Sequence, residues 1–264
     1  MSRDASPTIA ASTSQRNVDV AAELCRFRVY SEKHLDQIVH LQQLSRERRF
    51  AMRVVAQILP FRVNQYIIDQ LIDWDNIPED PIFQMTFPQP NMLPNEDFDL
   101  MADLLRRRAS EERIHAAAHK IRYKLNPHPG GQQDYNVPHL GSRALPGMQH
   151  KYSETVLFFP RQGQTCYAYC TFCFRWPQFV GGKELQFTTS NTADLYRYLL
   201  AHEEVSDLLI TGGDPMIMKT RLLSDYLRPL LRRGFEHIRT IRLGTKSLTY
   251  WPQRYFADED ADDL

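Results

Sequence analysis

Charge of one sign is the first thing this sequence lacks: 32 Lys and Arg stand against 32 Asp and Glu. Without a net field the chain is not built to attract nucleic acid globally, and it has no acidic excess that would solvate a tail. Any charged ligand has to be met by a local arrangement. Basic and aromatic residues are not interleaved as a single-strand nucleic-acid platform requires, which sets nucleic acid aside as a partner. Long apolar runs are missing too. No stretch reaches the roughly 18–20 residues of a membrane helix, and the opening residues carry no apolar signal core, so the expectation is a cytoplasmic protein with no membrane partner. Cysteine is scarce, at four residues. Cys25 stands alone near Phe27 and Val29, where packing is its expected role, while Cys166, Cys170 and Cys173 crowd together. That is a poor disulfide framework and a good metal framework, and it fits a reducing compartment. What is present is 42% hydrophobic and 11% aromatic residues, enough for a sizeable core.

Composition divides the chain into 1–20, 21–125, 126–149 and 150–264. Residues 1–20, rich in Ser, Thr and Ala with no apolar period, read as a disordered tail. Residues 21–125 read as a helical region. Ser31 suits an N-cap, and Leu35, Ile38, Val39, Leu44, Val54, Val55 and Ile58 recur at roughly helical spacing until Pro60, giving one long helix or two stacked ones. NQYIIDQLIDWDN (64–76) reads as another helix. The prolines of 77–94 exclude helix interior and give an ordered extended linker. Asn95 then caps EDFDLMADLLRRR, and a further helical pattern runs to about Leu125. In 126–149 Pro and Gly are dense, so the domain boundary belongs there. Beyond it TVLFF (155–159), DLLIT (207–211) and TIRLGT (240–245) read as strands. Between them lie a helix capped by Asn191 and one ended by Gly234 and kinked by Pro229. Strand–helix alternation at this spacing means βαβ units, a parallel sheet and an α/β fold class, with three units in 150–264.

The informative loop is GQTCYAYCTFCFRW, just after the first of these strands. Spacings of four and three let it wrap the thiolates of Cys166, Cys170 and Cys173 around one inorganic centre. With no fourth cysteine nearby, a four-iron cluster would keep one iron free of protein ligand and open to substrate or cofactor. Zinc held by the three with a histidine such as His202, or three inert buried cysteines, are the alternatives that spacing leaves open. At the end of the next strand comes ITGGDP. Gly212 and Gly213 allow close backbone approach to a ligand, and Asp214 with Pro215 sets a rigid turn with acceptors for an ammonium group. Two loops at neighbouring strand ends therefore point to one ligand.

The cysteine spacing with the aromatic Phe172 resembles the radical S-adenosylmethionine superfamily. LIDWDNIPEDPI (71–82), HKY (150–152), CTFCFR (170–175), LITGGDP (209–215) and IRLGTKSLTYWPQR (241–254) resemble the lysine 2,3-aminomutase family within it, over about residues 64–256. The resemblance implies a partial (βα) barrel of the radical-SAM kind and a [4Fe-4S] cluster on Cys166, Cys170 and Cys173. It implies S-adenosylmethionine on the open iron with its amino group at Gly212, Gly213, Asp214 and Pro215, and pyridoxal phosphate near Lys151 and Tyr152. In such an isomerase an electron donor reduces the cluster, and reductive cleavage of S-adenosylmethionine yields a 5′-deoxyadenosyl radical. The radical abstracts a substrate hydrogen while pyridoxal phosphate carries the migrating nitrogen in a 1,2-amino shift. Arg175 matches the arginine that pairs with the carboxylate of the amino acid substrate, a task suited to a planar fork; its plain alternative is a surface or cluster-shielding arginine.

The sequence also departs from that family. Thr155 stands where a phosphate-contacting arginine is usual, PRQGQTC is two residues longer than the usual segment, and no residue matches the pyridoxal lysine. Lys183 and Lys246 read as ordinary lysines. The expectation is a chain holding the radical-generating half of such a site, a small-molecule amino acid as substrate, and a homo-oligomer joined at an exposed sheet edge. Two alternatives stand beside it: an inactive truncated fragment and a non-enzymatic zinc-binding module.

Overall fold

The computed structural model describes residues 27–128, 131 and 133–264. The expected 1–20 tail and Cys25 lie outside the described residues. Val29–Ser31 (β1) pairs antiparallel with Arg62–Asn64 (β2), and the helical region grows from the segment between them. There Leu35, Ile38, Leu41 and Leu44 are all buried and fall three apart. That is the period of a 3₁₀ helix, and the chain forms two 3₁₀ turns, Glu32–Gln37 and Val39–Gln43, split by an extended Ile38. The α-helix expected from Ser31 therefore starts only at Arg46 and runs to Ile58 (α1), where the Ser45 hydroxyl accepts from the Arg48 N–H.

Two further expectations are corrected nearby. Segment 64–76 is not one helix but a wide π-type turn, Ile67–Leu71, followed by a 3₁₀ turn, Trp74–Asn76. Asn64 explains it. This residue still belongs to β2, and its buried side chain accepts from the Ile67 N–H while donating to the carbonyls of Tyr167 and Tyr250 at 3.3 and 2.8 Å. The proline-rich 77–94 is not wholly extended, because Pro81–Thr86 (α2) is helical. Asp80 accepts from the Phe83 N–H at 2.6 Å, and Pro81 occupies the first turn, where a missing N–H costs nothing.

Asn95–Arg106 (α3) and Glu111–Lys124 (α4) form as expected, with Pro94 instead of Asn95 in the cap position. Helices α1, α3 and α4 enclose a core of Val54, Val55, Ile58, Met101, Ala102, Ala118 and Ile121. Arg122 closes the carboxyl end of α1 by donating to the Gln57 and Ile58 carbonyls.

Residues 126–149 hold a short hairpin, His139–Leu140 (β3) with Arg143–Ala144 (β4), and the beginning of Met148–Tyr152 (β5). β5 runs antiparallel to Thr155–Phe158 (β6), which is parallel to Asp207–Ile210 (β7), itself parallel to Thr240–Leu243 (β8). The spatial order is β5-β6-β7-β8, a mixed α/β architecture in which the three parallel strands are those read from the sequence. Thr192–Ala201 (α5) follows the Asn191 cap, and Thr220–Leu227 (α6) passes at Pro229 into a 3₁₀ turn, Arg228–Leu231. Val156, Phe158, Leu208 and Ile210 point into one core with Leu195, Leu199, Leu223 and Tyr226. Each such side chain stabilises by about 1.5–3 kcal/mol on burial, which fixes the register of the parallel strands. The other sheet face, with Gln149, Leu157 and Leu209, is only half-buried. After β8 comes the single turn Ser247–Tyr250 (α7). Among the described residues no helix is long and apolar enough to cross a membrane.

Candidate functional site

In the parallel register Phe158, Ile210 and Leu243 lie level, so the loops that follow these strands emerge side by side. Ligand sites of parallel sheets form at this edge. The first loop carries Cys166, Cys170 and Cys173, all half-buried. The helical region pins its outer side: Tyr169 donates its N–H to the Arg62 carbonyl at 2.9 Å, and Thr171 donates its own to that of Met85 at 2.8 Å. Its base is stitched to the second loop, since the Asp214 N–H reaches the carbonyls of Gly163 and Thr165 at 3.0 and 2.7 Å. The extra residues of PRQGQTC form the 3₁₀ turn Arg161–Gly163 that provides one of these acceptors.

This close approach needs the two glycines. A Cβ on Gly213 would meet the Thr165 backbone at 2.3 Å, and Gly212 has φ +150 with the Gln164 side chain pressed against it. Asp214 does something other than wait for an ammonium group. Its buried carboxylate accepts from the Met216 N–H, the Thr245 hydroxyl and the Lys246 N–H, at 3.0, 2.6 and 2.8 Å. It thereby joins the loops after β7 and β8. Burial pushes its pKa up, against the lowering effect of those hydrogen bonds.

All three cysteines, Gly212, Gly213, Asp214 and Arg175 line one cavity of about 440 Å³, together with Lys246 and Tyr250 from the third loop. The Tyr250 hydroxyl lies 3.7 Å from Cys170 Sγ, and Lys246 Nζ lies 5.1 Å from the centre of the Phe172 ring. Arg175 is 7% exposed. Its guanidinium sits over the Phe159 ring at 3.8 Å, one nitrogen reaches the Phe187 carbonyl at 3.4 Å, and its Nε is buried without a partner. Burial lowers its pKa to about 10, with Cys173 and Cys166 opposing the shift. Among the described residues no carboxylate pairs with it, so the cavity presents a buried cation short of an anion.

Three thiols on one loop, with no fourth cysteine and no histidine among the described residues lining the cavity, are a donor set for an inorganic centre that keeps one position open. Burial raises the pKa of Cys166 and Cys173, helped at Cys166 by the Asp214 charge, so the loop resists holding several thiolates unless a metal cation is bound.

Lys151 and Tyr152 are not brought to this cavity. Met148 of the same strand pairs with Phe158 beside the cysteine loop, but Tyr152 pairs with Thr155 at the amino end of β6, and both residues are exposed. Lys183 lies in a separate 3₁₀ turn, Lys183–Leu185. Lys151, Tyr152 and Lys183 therefore do not assemble a pyridoxal phosphate pocket at this cavity. Sequence reasoning passed over Tyr250, Lys246 and Thr245 as site residues. Their signal was Gly244 immediately after a strand, the same pattern that marks Gly212.

An Aquifex aeolicus protein provisionally named an L-lysine 2,3-aminomutase is 27% identical over 226 residues, 86% of this chain and 49% of its own length. The L-lysine 2,3-aminomutase of Bacillus subtilis is 25% identical over 225 residues, 85% of this chain and 39% of its own. That of Methanococcus maripaludis is 22% identical over 197 residues, 75% of this chain and 36% of its own. The chain thus spans about half or less of the length of the curated relatives it matches. No family model matches the sequence.

Proposed function

We propose that the chain, similar to L-lysine 2,3-aminomutases over most of its own length, carries the radical-generating centre of an isomerase of this type. One observation carries the proposal: the three cysteines, the Gly212–Gly213 turn and the under-paired Arg175 line a single cavity at the carboxyl edge of a parallel sheet. On this account the sheet and its helices, within residues 150–264, are part of a (βα) barrel, and the described helical region 27–125 braces its cysteine loop. Cys166, Cys170 and Cys173 hold a [4Fe-4S] cluster. When bound, cluster and S-adenosylmethionine supply one-electron cleavage of a sulfonium bond to give a carbon radical.

The chain's own residues prepare the surroundings. Gly212 and Gly213, stripped of side chains, let backbone carbonyls approach the methionyl amino group of S-adenosylmethionine. Asp214 fixes that backbone instead of contacting the ligand directly. Arg175 takes the carboxylate of an amino acid, and its stacking on Phe159 keeps the fork aimed while excluding water. Tyr250 offers its hydroxyl to the Cys170 sulfur, a contact of the kind that tunes cluster potential. The partners that go with this account are an amino acid, a one-electron donor, and a second copy of the chain along the β8 edge.

Anaerobic reconstitution with iron and sulfide tests it. The account expects a brown protein whose reduced spin signal changes when S-adenosylmethionine is added. A colourless protein that retains zinc on the same cysteines would overturn it in favour of the zinc module.

A further inference from the structure

A second cluster of metal-ligating side chains lies away from the cysteine cavity, on the helix side of the sheet. His150 is on β5, His202 caps the carboxyl end of α5, and Glu204 follows two residues later. None of them lines the cysteine cavity. One ligand atom from each falls within 4.8 Å of the other two. We propose that His150, His202 and Glu204 form a binding site for a divalent transition-metal ion of the zinc class.

Donor chemistry supports the assignment. Two imidazoles and one carboxylate are a zinc set that leaves a fourth position for water.

The surroundings orient the rings as well. The Tyr198 hydroxyl lies 2.6 Å from His150 Nδ1, and the Tyr198 ring stacks on that of His202 at 4.0 Å. A fixed hydrogen bond on one ring nitrogen is the usual support of a ligating histidine. His150 Nε2 faces the Ser153 carbonyl at 3.1 Å; a carbonyl only accepts, so Nε2 carries the proton and Nδ1, beside the Tyr198 hydroxyl, is the nitrogen that ligates once that hydroxyl turns aside. His202 Nδ1 already meets Glu204 Oε1 at 2.7 Å.

Little movement is required. Ligand atoms on tetrahedral zinc with bonds near 2.0–2.2 Å stand about 3.3 Å apart, so the trio has to draw in by at most about 1.5 Å. Glu204 is exposed and supplies that movement by rotation. An ion here would tie β5, the strand that brings Gln149 to the cavity, to the end of α5.

The probe is Co²⁺, titrated into the full chain with Cys166, Cys170 and Cys173 changed to serine so that thiolates do not compete. The titration is repeated on the cluster-loaded chain, so that a fold lost through the serine changes cannot decide the outcome. One equivalent should bind at micromolar concentration with the enhanced visible d–d bands of a four-coordinate ion, no sulfur charge-transfer band, and displacement by Zn²⁺. His202→Ala should weaken binding by at least about tenfold. Glu204→Gln, a surface change that leaves packing alone, should weaken it by a similar factor. Affinity equal in the parent and both variants, or no binding below millimolar Co²⁺ in either background, would overturn the site.

Discussion

Thr245 donates a 2.6 Å hydrogen bond to the Asp214 carboxylate, tying the loop after β8 to the loop after β7. With the Met216 and Lys246 N–H groups on the same buried carboxylate, this joint holds the carboxyl edge of the sheet in one arrangement. Asp214→Asn would turn an amide NH₂ towards one of those donors. The expected loss is about 2–3 kcal/mol in urea unfolding, since a charged acceptor is removed and a buried donor is stranded. A loss under half a kcal/mol would mean that the joint contributes nothing.

Gly213 is a sharper test of the close approach between loops. Gly213→Ala pushes a methyl to 2.3 Å from the Thr165 carbonyl, where backbone and not a flexible side chain must give way. Stability should fall by about 2–3 kcal/mol, and iron incorporation should fall with it. Gly141→Ala is the control: its φ is +60, but nothing lies within 4 Å of the added carbon, so only the backbone cost of about 1 kcal/mol remains.

The thiols make the metal-free chain sensitive to alkali. Burial raises the pKa of Cys166 and Cys173 above the ordinary value of 9.0. Between that value and the raised ones, only the unfolded chain gives up these protons. The stabilising contribution of the neutral thiols is complete below pH 9 and is lost as pH climbs through the folded-state values. Stability should drop by up to about 1.4 kcal/mol per pH unit for each thiol. Urea midpoints at pH 8 and pH 10, compared with a Cys166→Ser, Cys173→Ser variant, measure this; equal slopes would refute it.

Arg175→Met separates binding from folding. Methionine keeps apolar contact with Phe159 and removes a buried, under-paired charge, so stability should stay level or rise by about 1 kcal/mol. Binding of an amino acid carboxylate, followed by calorimetry on the cluster-loaded chain, should weaken at least tenfold. Unchanged affinity would remove Arg175 from the site.

The parallel strands were legible because Val156, Phe158, Leu208 and Ile210 alternate into a core that local sequence patterns report well. β5 was not legible. Gln149, His150 and Lys151 are polar because one face opens on the cavity and the strand borders the sheet. At Leu35, Ile38, Leu41 and Leu44 an apolar recurrence was visible, but a repeat of three rather than 3.6 makes 3₁₀ turns instead of a helix. In the site, the cysteines and glycines announced themselves by spacing. Asp214 read as a ligand acceptor because its three partners come from a following turn and from another strand's loop, pairings that only the register of β7 and β8 creates. Tyr250 reaches Cys170 across 80 positions of sequence, and no local pattern encodes that contact.

The most direct measurement of the central claim is anaerobic turnover of S-adenosylmethionine. The chain is reconstituted with iron and sulfide, reduced, supplied with S-adenosylmethionine, and assayed for 5′-deoxyadenosine beside a Cys170→Ala control. The account predicts 5′-deoxyadenosine from the parent chain and none from Cys170→Ala. Product formed equally by both, or by neither although the parent carries a reduced cluster, would contradict a radical-generating centre on these cysteines.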